Sequence, residues 1–161
     1  MIRELSASEL TIIEDLAKVI WPVSFKEMIS SEQIEYMLEW MYNPNKLKEN
    51  HQKGHHYVLY SEGDTALGFI SYEIKLNKST VRIHKLYVHH EYQKKGIGKV
   101  LLEYAKTIAN KHSMKYVDLY VNRTNPAVGF YKFLGFYVSE EIDLDIGNGY
   151  FMNDYLLKLK I

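Results

Sequence analysis

The 161-residue chain contains no cysteine. Disulfides, thiolate metal sites and a cysteine nucleophile are therefore excluded, and any acyl transfer carried out here cannot pass through a thioester on the protein. An excess of charge is lacking too. Twenty Lys and Arg balance twenty Asp and Glu, so no global field draws in nucleic acid or an anionic membrane. No apolar run approaches the roughly 20 residues that cross a bilayer, and the opening MIRELSASEL has neither the basic nor the apolar region of a signal peptide. A cytoplasmic protein with no nucleic-acid or membrane partner is the expectation. Only three prolines interrupt the chain, and no repeat, low-complexity tract or Pro/Gly/Ser-rich linker divides it, so residues 1–161 are expected to form a single domain.

What is present is a readable alternation of periods. IREL reads as a short first strand. SASELTIIEDLAKVIW opens with a serine cap and repeats Leu10, Ile13, Ala17 and Ile20 at helical spacing, which predicts a helix from about Ser8 to Ile20. SSEQIEYMLEWMYNP puts Ile34, Met37, Leu38 and Met41 on one face of a second helix, with Pro44 stopping it. HHYVLYS, ALGFISYEIKL and TVRIHKLYV are rich in β-branched and aromatic residues and are separated by EGD and NKS, so three successive antiparallel strands are expected. After Gly98 the period of two gives way to 3.6: Val100, Leu101, Tyr104, Ile108 and Ala109 predict a helix as far as about His112. YVDLYV then reads as a strand, PAVGFYKFLGF as a short helix begun by Pro126 and ended at Gly135, and the tail as two strands joined around DIGNGY. The order β-α-α-β-β-β-α-β-α-β-β predicts an α+β fold with a mostly antiparallel sheet. The helical crossover makes TVRIHKLYV and YVDLYV a central parallel pair.

At the start of that crossover, YVHHEYQKKGIGKVLLEYA runs a strand into two glycines and straight into a helix. Backbone N–H groups at such a turn lack partners, and glycine lets an oxyanion approach where a Cβ would collide. Gly96 and Gly98 suit a phosphate cradle, with Lys94, Lys95 and Lys99 adding positive charge; an ordinary helix start after a turn is the equally available reading. Val100 stands where a Walker A loop needs Ser or Thr, and the three-glycine spacing of a dinucleotide fingerprint is missing.

QKKGIG resembles the Q/R-x-x-G-x-G/A acyl-CoA pyrophosphate loop of the GCN5-related N-acetyltransferase (GNAT) superfamily. NRTNPAVGFYKFLGF resembles the same family's N-x-x-A-x-x-F-Y-x-x-x-G-F element at Asn125, Val128, Phe130, Tyr131, Gly135 and Phe136, with Val128 in place of the usual alanine. The SFKEMISSEQIEYMLEWMY segment is similar to the corresponding part of PaiA-like polyamine acetyltransferases. The resemblance implies an acetyl-CoA-dependent N-acetyltransferase whose central parallel strands splay to admit the pantetheine arm. It implies that Leu86, Tyr87 and Val88 pair with that arm, that Gln93, Lys94, Lys95, Gly96, Ile97, Gly98 and Lys99 hold the pyrophosphate, and that Asn122 and Asn125 offer amide groups to the arm's other side. It also implies that the Tyr131 hydroxyl lies near the sulfur and protonates the leaving thiolate, with no metal involved.

The proton acceptor is left between residues. Alternation puts Arg82 and His84 on the face of Leu86. His84 titrates in the useful range and comes first, Glu73 on the neighbouring strand second, with a water wire as the third route. His51, His55 and His56 cluster without a carboxylate or cysteine at ligand spacing and are not read as a metal site, and His89 and His90 are read as flanking the loop. Trp21, Phe25, Met37, Trp40 and Tyr42 line either the acceptor wall or the core. The acceptor is a small amine such as a polyamine, or a protein amine; the sequence does not fix the oligomeric state, although the C-terminal strands could pair across a two-fold axis in a homodimer. The reading from another class is a non-catalytic acyl-CoA-binding or sensing domain.

Overall fold

Helix capping and apolar periodicity set the first third of the chain. In the computed structural model, which describes residues 1–161, a strand β1 (Ile2–Glu4) is followed by a 3-10 turn over Ala7–Glu9 and a helix α1 (Thr11–Ser24). The helical segment opens at Ser6, two residues earlier than Ser8, because Glu9 reaches back to accept from the Ser6 backbone N–H at 2.9 Å. Leu10, Ile13, Ala17 and Ile20 are all buried, as their spacing predicts. Helix α2 (Ser31–Tyr42) is capped by Ser30, whose Oγ accepts from Gln33 N at 3.1 Å.

Pro44 does end α2, but it also begins a helix that the sequence pattern left as a connection, α3 (Pro44–Gln52). Proline at the first helical position gives up an N–H that has no intrahelical partner anyway. Asn43 closes the start by accepting from Lys46 N at 2.8 Å. The order is therefore β-α-α-α-β-β-β-α-β-α-β-β once short 3-10 turns are set aside.

The remaining elements are β2 (His56–Glu62), β3 (Thr65–Lys75), β4 (Thr80–Val88), α4 (Ile97–Lys111), β5 (Tyr116–Asn122), α5 (Ala127–Phe133), β6 (Tyr137–Gly147) and β7 (Tyr150–Lys160). Seven strands form one sheet in the order β1-β2-β3-β4-β5-β7-β6. The β4–β5 pair is parallel, whereas β1–β2, β2–β3, β5–β7 and β6–β7 are antiparallel. The parallel ladder runs from Thr80↔Tyr116 to Ile83↔Leu119 and stops before β5 ends at Asn122.

The chain clusters into two units, residues 1–73 with 85–104 and residues 74–84 with 105–161. The first holds β1 to β3, α1 to α3, the end of β4 and the start of α4. Its core is aromatic: Trp21 stacks on Phe25 at 4.4 Å and meets Tyr42 edge-on at 5.7 Å, and Trp21 Nε1 donates to the Tyr42 hydroxyl at 3.2 Å. Each such side chain contributes roughly 1.5–3 kcal/mol on burial. The second unit holds the start of β4, the end of α4, α5 and the β5, β7 and β6 strands. Val117, Leu119 and Leu157 are buried there, and Gly135 closes α5 against Leu159.

Candidate active site

In the first unit the end of β4 leads into the glycine turn. The His89 N–H donates to Leu67 O at 2.7 Å, a 3-10 turn follows over His90–Tyr92, and Gln93 Nε2 donates back to Val88 O at 3.2 Å. Gln93 thus ties the loop to the strand. Gly96 has φ +83°, a conformation that an L side chain adopts only under strain, and a Cβ placed there would meet nothing within 4 Å. Val100 N donates to Gly96 O at 3.0 Å, so the N–H groups of Ile97, Gly98 and Lys99 precede the first helical bond of α4. Lys94, Lys95 and Lys99 are exposed around them. Open space, unpartnered N–H groups and three cations fit the diphosphate of a CoA. Beside the loop, His89 and His90 stack at 4.3 Å, and His90 Nδ1 is buried without a partner.

Leu86, Tyr87 and Val88 are half-buried at the end of β4. The Tyr87 ring lies 5.6 Å from Trp21 and 5.8 Å from Phe69, so aromatic packing fixes this stretch while leaving its backbone to act. Gly68, in the middle of β3, permits the close approach: a Cβ there would meet Tyr87 O at 2.9 Å. Lys85 is buried with its Nζ 5.2 Å from the Tyr42 ring centre, and burial pushes its pKa down to about 8, with Lys46 adding to the effect. Trp21, Phe25, Met37 and Tyr42 belong to the core of this unit, and Trp40 is exposed.

Glu73 lies near the end of β3 with its Oε2 3.4 Å from His55 Nε2, both side chains about four-fifths buried. The sequence names Glu73 but assigns His55 no role beside it. The missing signal is register: residues 18 apart on a helix-to-strand connection and a strand meet only once the sheet is formed.

The second unit holds His84, half-buried on β4, and Tyr131, 6% exposed on α5. Burial raises the Tyr131 pKa well above the ordinary phenol value. Asn122 Oδ1 accepts from Thr124 N at 2.9 Å and Asn125 Oδ1 accepts from Ala127 N at 2.8 Å. Both carbonyl oxygens build turns, leaving the Nδ2 groups as the donors these residues can offer to a ligand. Arg82 forms a two-point pair with Asp118, at 2.5 and 3.0 Å.

A glycine-turn anion cradle entering a helix, and a parallel strand pair in an antiparallel sheet, define a class of acyl-CoA-using enzymes. A profile of the acetyltransferase (GNAT) family matches residues 13–136, and the chain belongs to that family. Its reaction is acetyl-CoA-dependent acetylation of an amine nitrogen. The chain is 29% identical to the spermidine N(1)-acetyltransferase of Thermoplasma acidophilum over 164 aligned positions, covering 99% of this chain and 96% of that protein. The crystal structure of PaiA N-acetyltransferase from Thermoplasma acidophilum in complex with coenzyme A superposes with a TM-score of 0.83 at 28% identity, covering 100% of this chain and 98% of that one. The ribosomal-protein-S18-alanine N-acetyltransferase of Escherichia coli shares the fold, with a TM-score of 0.75 at 16% identity over 100% of this chain and 93% of that one. No helix is long and apolar enough to cross a membrane.

Proposed function

We propose that the acceptor is a small aliphatic polyamine of the spermidine kind, acetylated directly in a ternary complex by residues 1–161 working as one cytoplasmic catalytic domain. The observation that carries this reading is the near full-length likeness to a spermidine N(1)-acetyltransferase. Acetyl-CoA, when bound, supplies an acyl carbon activated by its thioester and a thiolate leaving group. With no cysteine in the chain, no cysteinyl thioester can intervene, which agrees with direct passage of the acetyl group to the amine.

The chain's own groups then divide the work. The N–H groups at the start of α4 and Lys94, Lys95 and Lys99 hold the diphosphate, while the β4 backbone at Leu86–Val88 and the amides of Asn122 and Asn125 bind the pantetheine arm. Tyr131 donates to the sulfur as charge develops there. Glu73 or His84 accepts the amine proton. The His55 contact favours Glu73, because an imidazole beside a carboxylate steadies its charge and gives the proton a second resting place. A second copy docking on the C-terminal hairpin is part of the same reading, since β6 is an edge strand and Val138 and Phe151 are exposed; a monomer in sedimentation at micromolar concentration overturns that part.

The test of the reaction is acetyl-CoA consumption with a panel of polyamines, monoamines and peptide amines. Spermidine should be turned over at least tenfold faster than a peptide N-terminus. Tyr131→Phe keeps the packing ring, so kcat should fall on the order of 10²-fold with CoA affinity changed only a few-fold. If more than half of kcat survives when chemistry limits the rate, Tyr131 is not the proton donor. CoA binding without amine-dependent turnover in the wild-type protein would instead support the sensing-domain reading.

A further inference from the structure

Asp118 and Asp154 lie on one face of the β5–β7–β6 part of the sheet, and their surroundings differ. Asp118 is 3% exposed and fully compensated by the two-point Arg82 pair. Asp154 is 7% exposed and has no hydrogen-bond or ion-pair partner within the protein. Its cross-strand neighbours are Asn122 on β5 and Ile142 on β6, and on β7 it is flanked on the same face by Met152 and Leu156. The one cation near it is Arg123. That guanidinium is already held by Glu141 at 3.6 Å and by Asp143. Burial pushes the Asp154 carboxyl up to about 6, and Arg123 opposes the rise without cancelling it.

We propose that Asp154 is the anchor for a positively charged nitrogen of the acceptor, so that the substrate is an aliphatic amine whose ammonium group completes this carboxylate. An uncompensated carboxylate among aliphatic side chains costs stability, and a chain gains from carrying one where a ligand brings the opposite charge. The aliphatic flank of Ile142, Met152 and Leu156 suits methylene groups. The same face is open beside the carboxylate: Tyr120, opposite Leu156, is 43% exposed, and Leu144, opposite Met152, is 50% exposed. An anionic acceptor would be repelled by the carboxylate, and a neutral one would leave it uncompensated. Asp154 therefore determines specificity and binds; it does not carry the proton of the reaction.

This inference rests on the polyamine reading and has its own readout. Titrating spermidine calorimetrically into the protein saturated with CoA, for wild type and Asp154→Asn, measures the anchor without turnover. Asp154→Asn should weaken spermidine at least tenfold and raise its KM by a similar factor, with CoA affinity and kcat within about threefold of wild type. The charged groups that bear on the carboxylate are Arg123 and, through it, Glu141 and Asp143, so spermidine affinity should fall below about pH 6 in wild type and not in the variant. Because the group is uncompensated, Asp154→Asn should melt no lower than wild type at pH 7.5. Equal spermidine affinity in a folded variant overturns the anchor, as does a lowered melting midpoint, which would mark Asp154 as a structural partner. If wild type itself neither binds nor acetylates spermidine, the polyamine reading fails first; the anchor then stands or falls on the same comparison with butylamine.

Discussion

Three helix starts in this protein are handled in two ways. At α2 and α3 the chain closes its own N-terminus: Ser30 Oγ takes the Gln33 N–H and Asn43 Oδ1 takes the Lys46 N–H. At α4 the residue before the first helical position is Gly96, which has no side chain to offer, and lysines rather than carboxylates crowd the turn. A start that must only be stable uses a polar side chain as its acceptor, typically gaining about 1 kcal/mol. The α4 start forgoes that gain and leaves its N–H groups without a side-chain acceptor, which is what the proposed diphosphate site requires.

The strongest way to break this comparison is Gly96→Glu. It places a bulky carboxylate in the path of the diphosphate at a φ unfavourable to any side chain, so CoA affinity measured by calorimetry should fall by more than 100-fold, while circular dichroism keeps its native shape. Wild-type affinity in a folded variant would mean that the glycine serves the turn alone. A gentler probe is salt. Raising ionic strength from 50 to 300 mM should weaken CoA severalfold through Lys94, Lys95 and Lys99, and triple replacement of those lysines by Gln should remove most of the dependence.

Further from the loop, Lys85 tests the cost of a buried cation in the same unit. Its pKa is lowered from 10.5 to about 8, so the folded state holds its proton less tightly than the unfolded chain. The penalty is complete below about pH 8 and is relieved as pH rises towards 10.5. Lys85→Met should therefore raise the melting midpoint by several degrees at pH 7 and by much less at pH 10; a gap that widens with pH would overturn this. The smallest effect belongs to Asn43→Ala. It should cost about 1 kcal/mol, ~2–4 °C in the midpoint, with CoA affinity unchanged.

Local signals carried most of the architecture. Leu10, Ile13, Ala17 and Ile20 have the period of a helix face and are buried, and the β-branched runs became β2 to β5. The α3 helix escaped because a proline after an apolar helix reads as a stop; the Asn-Pro pair that makes Asn43 a cap is a start signal of equal weight. Gly96 and the lysines, proposed to hold the diphosphate, stand in one continuous stretch, so the sequence alone offers them as candidates. Glu73 with His55, and the contrast between Asp118 and Asp154, were not legible there, since both depend on which residues strand register brings side by side. Asn122 and Asn125 show the converse: their oxygens serve adjacent turns, a role that any Asn at a strand end or helix start can fill.

The aromatic packing behind β4 has an optical consequence. The chain has two tryptophans, Trp21 at 1% exposure and Trp40 at 38%. Emission should therefore separate into a blue component shielded from acrylamide and a red one open to it. Because Trp21 lies 5.6 Å from Tyr87, whose backbone belongs to the stretch expected to pair with the pantetheine arm, the blue component is a built-in reporter of cofactor arrival. Trp40→Phe would leave that reporter alone in the spectrum, so that CoA binding could be followed by fluorescence without label or turnover.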